Sequence, residues 1–305
     1  MTALFFSRLS VPTPAGFGFW PTVRSHGWCS LAPFRVDVPG QTLGRIVRLA
    51  DGTTIRVQVT GSRGVLHVRM ESRTRITRQM RTGVLRQIQS CLRLEENFAA
   101  FHSEARRLPR FRWIAGSGAG RMLRAPTAFE DTVKMICTTN CTWALTTIMT
   151  SNLVAALGGH TEGIGTAFPA PEAIAGSSEK FLRAEIKTGY RAPYILRFAE
   201  LVASGRLDPE AWRTSAAPTD ELFATLRTVK GVGPYAAGNI LKLIGRYDYL
   251  SLDSWVRERY ARLYHKGRRV KDATIERHYA PLGPWRGLFF WLEMTRGWDG
   301  EKFTT

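Results

Sequence analysis

Acidic residues are scarce in this chain of 305 residues: 25 Asp+Glu stand against 43 Lys+Arg, for a formal charge of +18. Such a surface repels itself unless a polyanion is its working partner. Nucleic acid, which releases condensed counterions as its phosphates are neutralised, is the commonest one. A basic solvated surface and a membrane-surface role are the other readings of the same imbalance. Cysteine is sparse as well: Cys29, Cys91, Cys137 and Cys141 are the four, with none beyond position 141. Cys137 and Cys141 stand one helical turn apart, but no Cys or His pair elsewhere completes a zinc spacing. The four therefore read as reduced, mostly buried thiols. No run of about 18 apolar residues is present to span a bilayer. The N-terminal MTALFFSRLS is too short an apolar stretch for a secretory signal, and the expected address is the cytoplasm, or the nucleoid within it. Short repeats and low-complexity tracts are missing too.

What is present is an ordinary globular composition, 44% hydrophobic and 22% charged, in a chain long enough to bury roughly three quarters of its extended surface. Residues 30–71 read as antiparallel β-structure. Apolar and polar residues alternate in Thr54–Val59 and again in Leu66–Met70, with Asp51-Gly52 and Gly61–Gly64 as turns. From residue 73 the period changes, and Ile76, Met80, Val84 and Ile88 recur every fourth residue, as on a helix packed against that sheet. A Pro/Gly-rich basic stretch from Leu108 to Arg124 interrupts the pattern. It suggests two parts, an N-terminal sheet with helices over 1–115 and a helical body over 116–305. Within the body, helices are expected at 126 onward, 170, 179–187, 191–204, 219–228, 234–244, 254–264, 273–280 and 285–296.

The most informative segment is the hairpin 226–238, where helix-like sequence flanks Gly231-Val232-Gly233. Two glycines in three residues permit a tight turn and clear the approach of a ligand, and Pro234 suits a first helical turn. Such a turn aims backbone amides and a helix N-terminus outward together, an arrangement that holds a phosphate. An αα-hairpin with a glycine-rich connection and no ligand is the plainer reading. Twenty positions beyond Gly233, Asp253 precedes an amphipathic helix. Alone it reads as an N-cap; beside the hairpin it also places a carboxylate one short helix from a bound DNA backbone.

Gly231-Val232-Gly233-Pro234-Tyr235 followed by Leu252-Asp253 resembles the helix-hairpin-helix and catalytic aspartate of the HhH-GPD DNA glycosylases. The resemblance extends through Phe129-Glu130, Ile136–Asn140, Gly189–Ala192 and Pro284–Gly287, and so covers most of 126–296. It implies a mainly α fold with an N-terminal α+β domain and a cleft between helical subdomains. It also implies a monomer acting on double-stranded DNA that carries a damaged base, with no membrane association. Asp253 would then stabilise charge on the sugar and orient water. Asn140 would fill the gap left by the extruded nucleotide, or else cap a helix end. Arg191 would contact DNA beside the gap, or else be a solvated charge. Gly231, Val232, Gly233 and Lys230 would hold the backbone. Tyr235, Trp255, Trp285 and Phe290 would form the base pocket, although each aromatic also reads as helix core. Lyase members carry Lys where Tyr235 stands, so the resemblance implies a monofunctional enzyme. The four cysteines of the iron–sulfur branches are missing. No metal or cofactor is implied, apart from a monovalent cation that could sit at 231–233. An aromatic wall suits an electron-poor alkylated purine. Segment 136–148 is nearer the 8-oxoguanine type, which with or without lyase activity is the rival. A non-catalytic DNA-structure binder is the rival of another class.

Overall fold

The computed structural model describes residues 3–297. Its N-terminal part contains β1 (Phe5–Pro12), α1 (Phe19–Val23), β2 (Phe34–Asp37), β3 (Thr42–Arg48), β4 (Thr54–Ser62), β5 (Val65–Ser72) and α2 (Arg78–Leu92). Then come α3 (Ala99–Arg107), α4 (Arg112–Ser117), α5 (Ala128–Thr138) and α6 (Trp143–Leu157), followed by the two-residue strands β6 (His160–Thr161) and β7 (Gly165–Thr166). The remainder is helical: α7 (Pro171–Ala175), α8 (Glu179–Ala184), α9 (Ala192–Ala203), α10 (Ala211–Thr214), α11 (Thr219–Arg227), α12 (Pro234–Ile244), α13 (Ser254–His265), α14 (Asp272–Tyr279) and α15 (Arg286–Met294).

The sheet is antiparallel, in the order β1-β5-β4-β3-β2. Val57 pairs with Met70 and Val59 with Val68, and these side chains are buried while His67 and Arg69 between them face solvent. Met80, Val84 and Ile88 on α2 join the same core, and Thr77 caps that helix by accepting from the Met80 amide at 3.2 Å. Strand β1 goes beyond the strands read from the pattern. It is an edge strand that leaves Phe5 and Phe6 exposed, so the in-out alternation of a half-buried strand begins only at Ser7.

Two cores result. The first runs from the sheet through α2, α5, α6 and α9 to α12. The second joins Phe98, Phe101, Phe111 and Ile114, on and around α3 and α4, to Tyr260, Tyr279 and Phe289 on the last three helices. The stretch expected to be a seam therefore contains a helix, and the residues just before 115 pack with the C-terminal end of the chain. The sheet is tied to α5 by a buried ionic cluster. Arg45 donates to Glu130 at 3.0 Å and Lys134 donates to the same carboxylate at 2.7 Å. Burial alone would raise the Glu130 pKa, but the two cations hold it below the ordinary value. Removing one member of a buried pair strands the remaining charge, so Glu130→Gln is expected to cost about 3–5 kcal/mol in a denaturant titration.

Candidate active site

A cavity of about 360 Å³ opens where the two cores meet. Its walls carry four tryptophans from four separate segments: Trp28 near the N-terminus, Trp143 on α6, Trp255 on α13 and Trp291 on α15. Three of the indoles are fixed by their N–H groups. Trp28 donates to Asp131 at 2.8 Å, Trp291 to the Ser25 carbonyl at 3.0 Å and Trp143 to Ser30 at 3.3 Å. Asp131 is fully enclosed, and burial pushes its carboxyl up to about 6. The polar lining includes Asp253, Lys242, His26 and Asn239.

Asp253 is both the N-cap of α13 and part of the cavity wall. Its Oδ1 accepts from the Val256 amide at 2.8 Å, which fixes the carboxylate at the first turn of α13 while Asp253 lines the cavity. Tyr235, one residue into α12, lines the same cavity, and burial followed by the nearby Asp253 charge pushes its phenol up to about 12. Phenol, not phenolate, faces the carboxylate near neutral pH.

The glycine turn joins α11 to α12 and lies at the N-terminus of the helix that supplies Tyr235. Its two glycines serve different ends. Gly231 sits at φ +90°, and a Cβ there would come within 2.8 Å of Tyr194 Cβ; this glycine lets the chain turn. Gly233 has an ordinary φ of −80°, and a Cβ there would meet nothing within 4 Å; this glycine leaves the helix N-terminus open. Val232 departs from the expected amide clamp. Its side chain is buried, and its N–H donates to the Val229 carbonyl at 2.9 Å. Lys230 is exposed beside the turn. Gly233→Ser, which keeps a good N-cap while adding a side chain, is expected to weaken binding to damaged and undamaged duplexes alike, in a fluorescence-anisotropy titration, without lowering thermal stability. A loss confined to lesion DNA would count against a backbone contact at this turn.

Asn140 occupies the turn between α5 and α6, exposed and at φ +46°. Its Nδ2 donates to the Tyr190 hydroxyl at 3.4 Å. Arg191, expected as a DNA contact, is instead 3% exposed. Its guanidinium donates to the Thr139 carbonyl and packs 4.5 Å from the Tyr190 ring. Arg191 thus braces the turn that displays Asn140, and the exposed group at this position is Tyr190. Tyr190 in turn meets Tyr194 at 6.3 Å between ring centroids, and Tyr194 abuts Gly231. The asparagine turn and the glycine turn are joined by two tyrosines.

Two expected pocket residues lie elsewhere. Trp285 packs in the second core against Tyr247, Phe98 and Phe101, with centroids 5.2 to 5.9 Å apart. Phe290 is 1% exposed, edge-on to Tyr279 at 5.0 Å. Neither lines the cavity; of the run Phe289-Phe290-Trp291, only Trp291 does. Sequence reasoning had also passed over His26, Trp28, Asn239 and Lys242 as lining residues. One signal was there: Tyr235, Asn239 and Lys242 fall at i, i+4 and i+7, a single face of α12. Among the described residues no group of three His, Cys, Asp or Glu side chains is placed to hold a metal ion. Also among them, no helix is long and apolar enough to cross a membrane.

No family model matches the sequence, and no curated protein matches it. Solved structures share the fold. A 3-methyladenine DNA glycosylase from Archaeoglobus fulgidus superposes with a TM-score of 0.71 at 19% identity, covering 94% of this chain and 98% of that one. The apo form of an 8-oxoguanine glycosylase/lyase from Clostridium acetobutylicum gives 0.72 at 19% identity, covering 94% and 95%. A Schizosaccharomyces pombe 3-methyladenine DNA glycosylase, solved with abasic DNA, gives 0.51 at 18% identity and covers 66% of this chain and 97% of that one. The likeness to these structures is one of fold, and in the first two it spans 94% of this chain.

Proposed function

We propose that this protein is a DNA glycosylase of base-excision repair, which hydrolyses the N-glycosidic bond of a damaged purine turned out of duplex DNA. One observation carries the reading. A carboxylate locked by its own helix cap faces a tryptophan-lined cavity that opens beside an exposed glycine turn. At about 360 Å³ the cavity falls in the range of small-molecule sites, roughly 300–1,000 Å³.

A base stacked in a duplex cannot reach a carboxylate on a cavity wall, so the nucleotide leaves the stack. Asn140, on the turn between α5 and α6, and Tyr190, beside it on the turn before α9, are the exposed groups that meet the vacated space. The Gly233 amide and the Lys230 ammonium take the neighbouring phosphates. Cleavage of the bond to C1′ leaves positive charge on the sugar, as in glycoside hydrolysis. The Asp253 carboxylate stabilises that charge and takes the proton of the incoming water. The enzyme is monofunctional on this reading. Tyr235 offers a protonated phenol where lyases offer an amine, and the Lys230 side chain is not part of the cavity lining; the amine that does line it, Lys242, lies two turns further along α12.

The test is a denaturing gel of duplexes carrying hypoxanthine, 8-oxoguanine, 7-methylguanine or ethenoadenine. Strand breaks that appear only after hot alkali support a monofunctional glycosylase, and breaks without alkali assign a lyase. Intact strands on every lesion, with tight binding retained, leave a non-catalytic DNA-structure binder.

A further inference from the structure

We infer that Lys242 reads the extruded base, donating from its ammonium to a ring or carbonyl acceptor, and so selects neutral purines that carry an exocyclic oxygen over cationic alkylpurines. The inference rests on the glycosylase reading above and names the substrate class of that same cavity.

Lys242 is 3% exposed and lies on the cavity wall. Its Nζ stands 4.1 Å from the centroid of the Trp291 ring, and no hydrogen bond or ion pair reaches it from the described residues. A buried ammonium without a hydrogen-bond acceptor costs free energy, and burial accordingly pulls this amine down to about 7; an acceptor on a bound base removes that cost and favours the charged form. The opposite polarity comes from His26. Its Nε2 lies 2.6 Å from the Leu123 carbonyl, which can only accept, so Nε2 carries the proton. Burial pushes the ring down to about 3, which leaves Nδ1 as a bare acceptor on a residue of the same wall. A cavity that presents a cationic donor and a neutral acceptor between indole faces fits the polar edge of a carbonyl purine.

The same ammonium bears on the chemistry. A cationic alkylpurine departs as a neutral base and needs no help, and within this cavity it would meet a like charge. A neutral purine departs with the electron pair of the broken C1′–N9 bond. A proton donor on the base then stabilises the leaving group, while water adds to C1′ and gives its proton to Asp253. The aromatic wall alone had suggested an alkylated purine. The lysine set into that wall reverses the preference.

Single-turnover excision of hypoxanthine, 8-oxoguanine and 7-methylguanine by the wild type and Lys242→Met tests this, together with affinity for a duplex bearing a tetrahydrofuran abasic analogue. The wild type should excise at least one neutral lesion faster than 7-methylguanine. Lys242→Met should lose about 100-fold on that neutral lesion, keep or gain rate on 7-methylguanine and bind the base-less duplex as the wild type does. Equal losses on neutral and cationic lesions overturn the inference, as does a wild type that prefers 7-methylguanine. A borohydride-trapped adduct that disappears in Lys242→Met also overturns it, because the amine would then be a nucleophile toward C1′. A wild type inactive on every lesion removes the glycosylase reading itself, and this one with it.

Discussion

Asp253→Asn is expected to slow excision by at least about 10³-fold while leaving the fold and the affinity for lesion duplex nearly unchanged. The structure makes this substitution unusually informative. Oδ1 of residue 253 accepts the Val256 amide, and asparagine supplies the same acceptor at the same position. Asp and Asn rank together as N-caps, so α13 keeps its first turn. What disappears is the negative charge at the cavity wall. A loss of about 10³ in rate corresponds to about 4 kcal/mol of transition-state stabilisation. Asp253→Ala would remove cap and charge together and confound the two. Single-turnover rates, a thermal melt and an affinity measurement on the asparagine variant separate them, and full residual excision would refute the mechanism.

Lys242→Met is expected to make the protein more stable. Burial pushes the amine down to about 7, against a weaker opposing pull from Asp253. In the unfolded chain the same amine titrates near the ordinary lysine value of 10.5. Between these values the unfolded state holds more protons than the native state, so native stability rises with pH from about 7 to about 10. The full penalty is present below that window. Replacing the amine by a thioether should stabilise the protein by on the order of 3 kcal/mol at pH 7. Urea titrations at pH 6.5, 8 and 9.5 should show the variant's advantage shrinking as pH rises. An advantage independent of pH would mean that the native amine is solvated. The result also bears on the excision assay, because a variant that folds more stably cannot lose activity by misfolding.

The hairpin, Asp253, Tyr235 and Trp255 were legible in the sequence because their spacing is local. A glycine turn, the helix after it and the residues about 20 positions on form one continuous piece of chain, and Tyr235, Asp253 and Trp255 line the cavity. Most of the remaining lining was not legible. Trp28 reaches its place through a hydrogen bond to Asp131, 103 positions away, and no periodicity records such a contact. The aromatic run on α15 shows the other limit. That helix is buried on most of its surface, so pattern alone does not say which of Phe289, Phe290 and Trp291 faces the cavity and which the core. Arg191 was misread for a related reason. Arginine beside a short helical turn has the profile of a solvated or DNA-facing charge, yet here its partner is a carbonyl 52 positions earlier. Lys242 stood in view on a helix otherwise rich in core residues, and a cation in such company was the signal to follow.

The two tyrosines between the Asn140 turn and the Gly231 turn fix more than a pair of loops. Asn140 touches Tyr190, Tyr190 faces Tyr194, and Tyr194 blocks any side chain at position 231. This strut sets a constant span between the two turns. On the glycosylase reading proposed above, a duplex seated on both would have no way to alter that span, so whatever bending the extrusion demands would fall on the nucleic acid. Sequences or lesions that soften the duplex at that step would be engaged more readily than stiff ones, before the chemistry of the base is consulted.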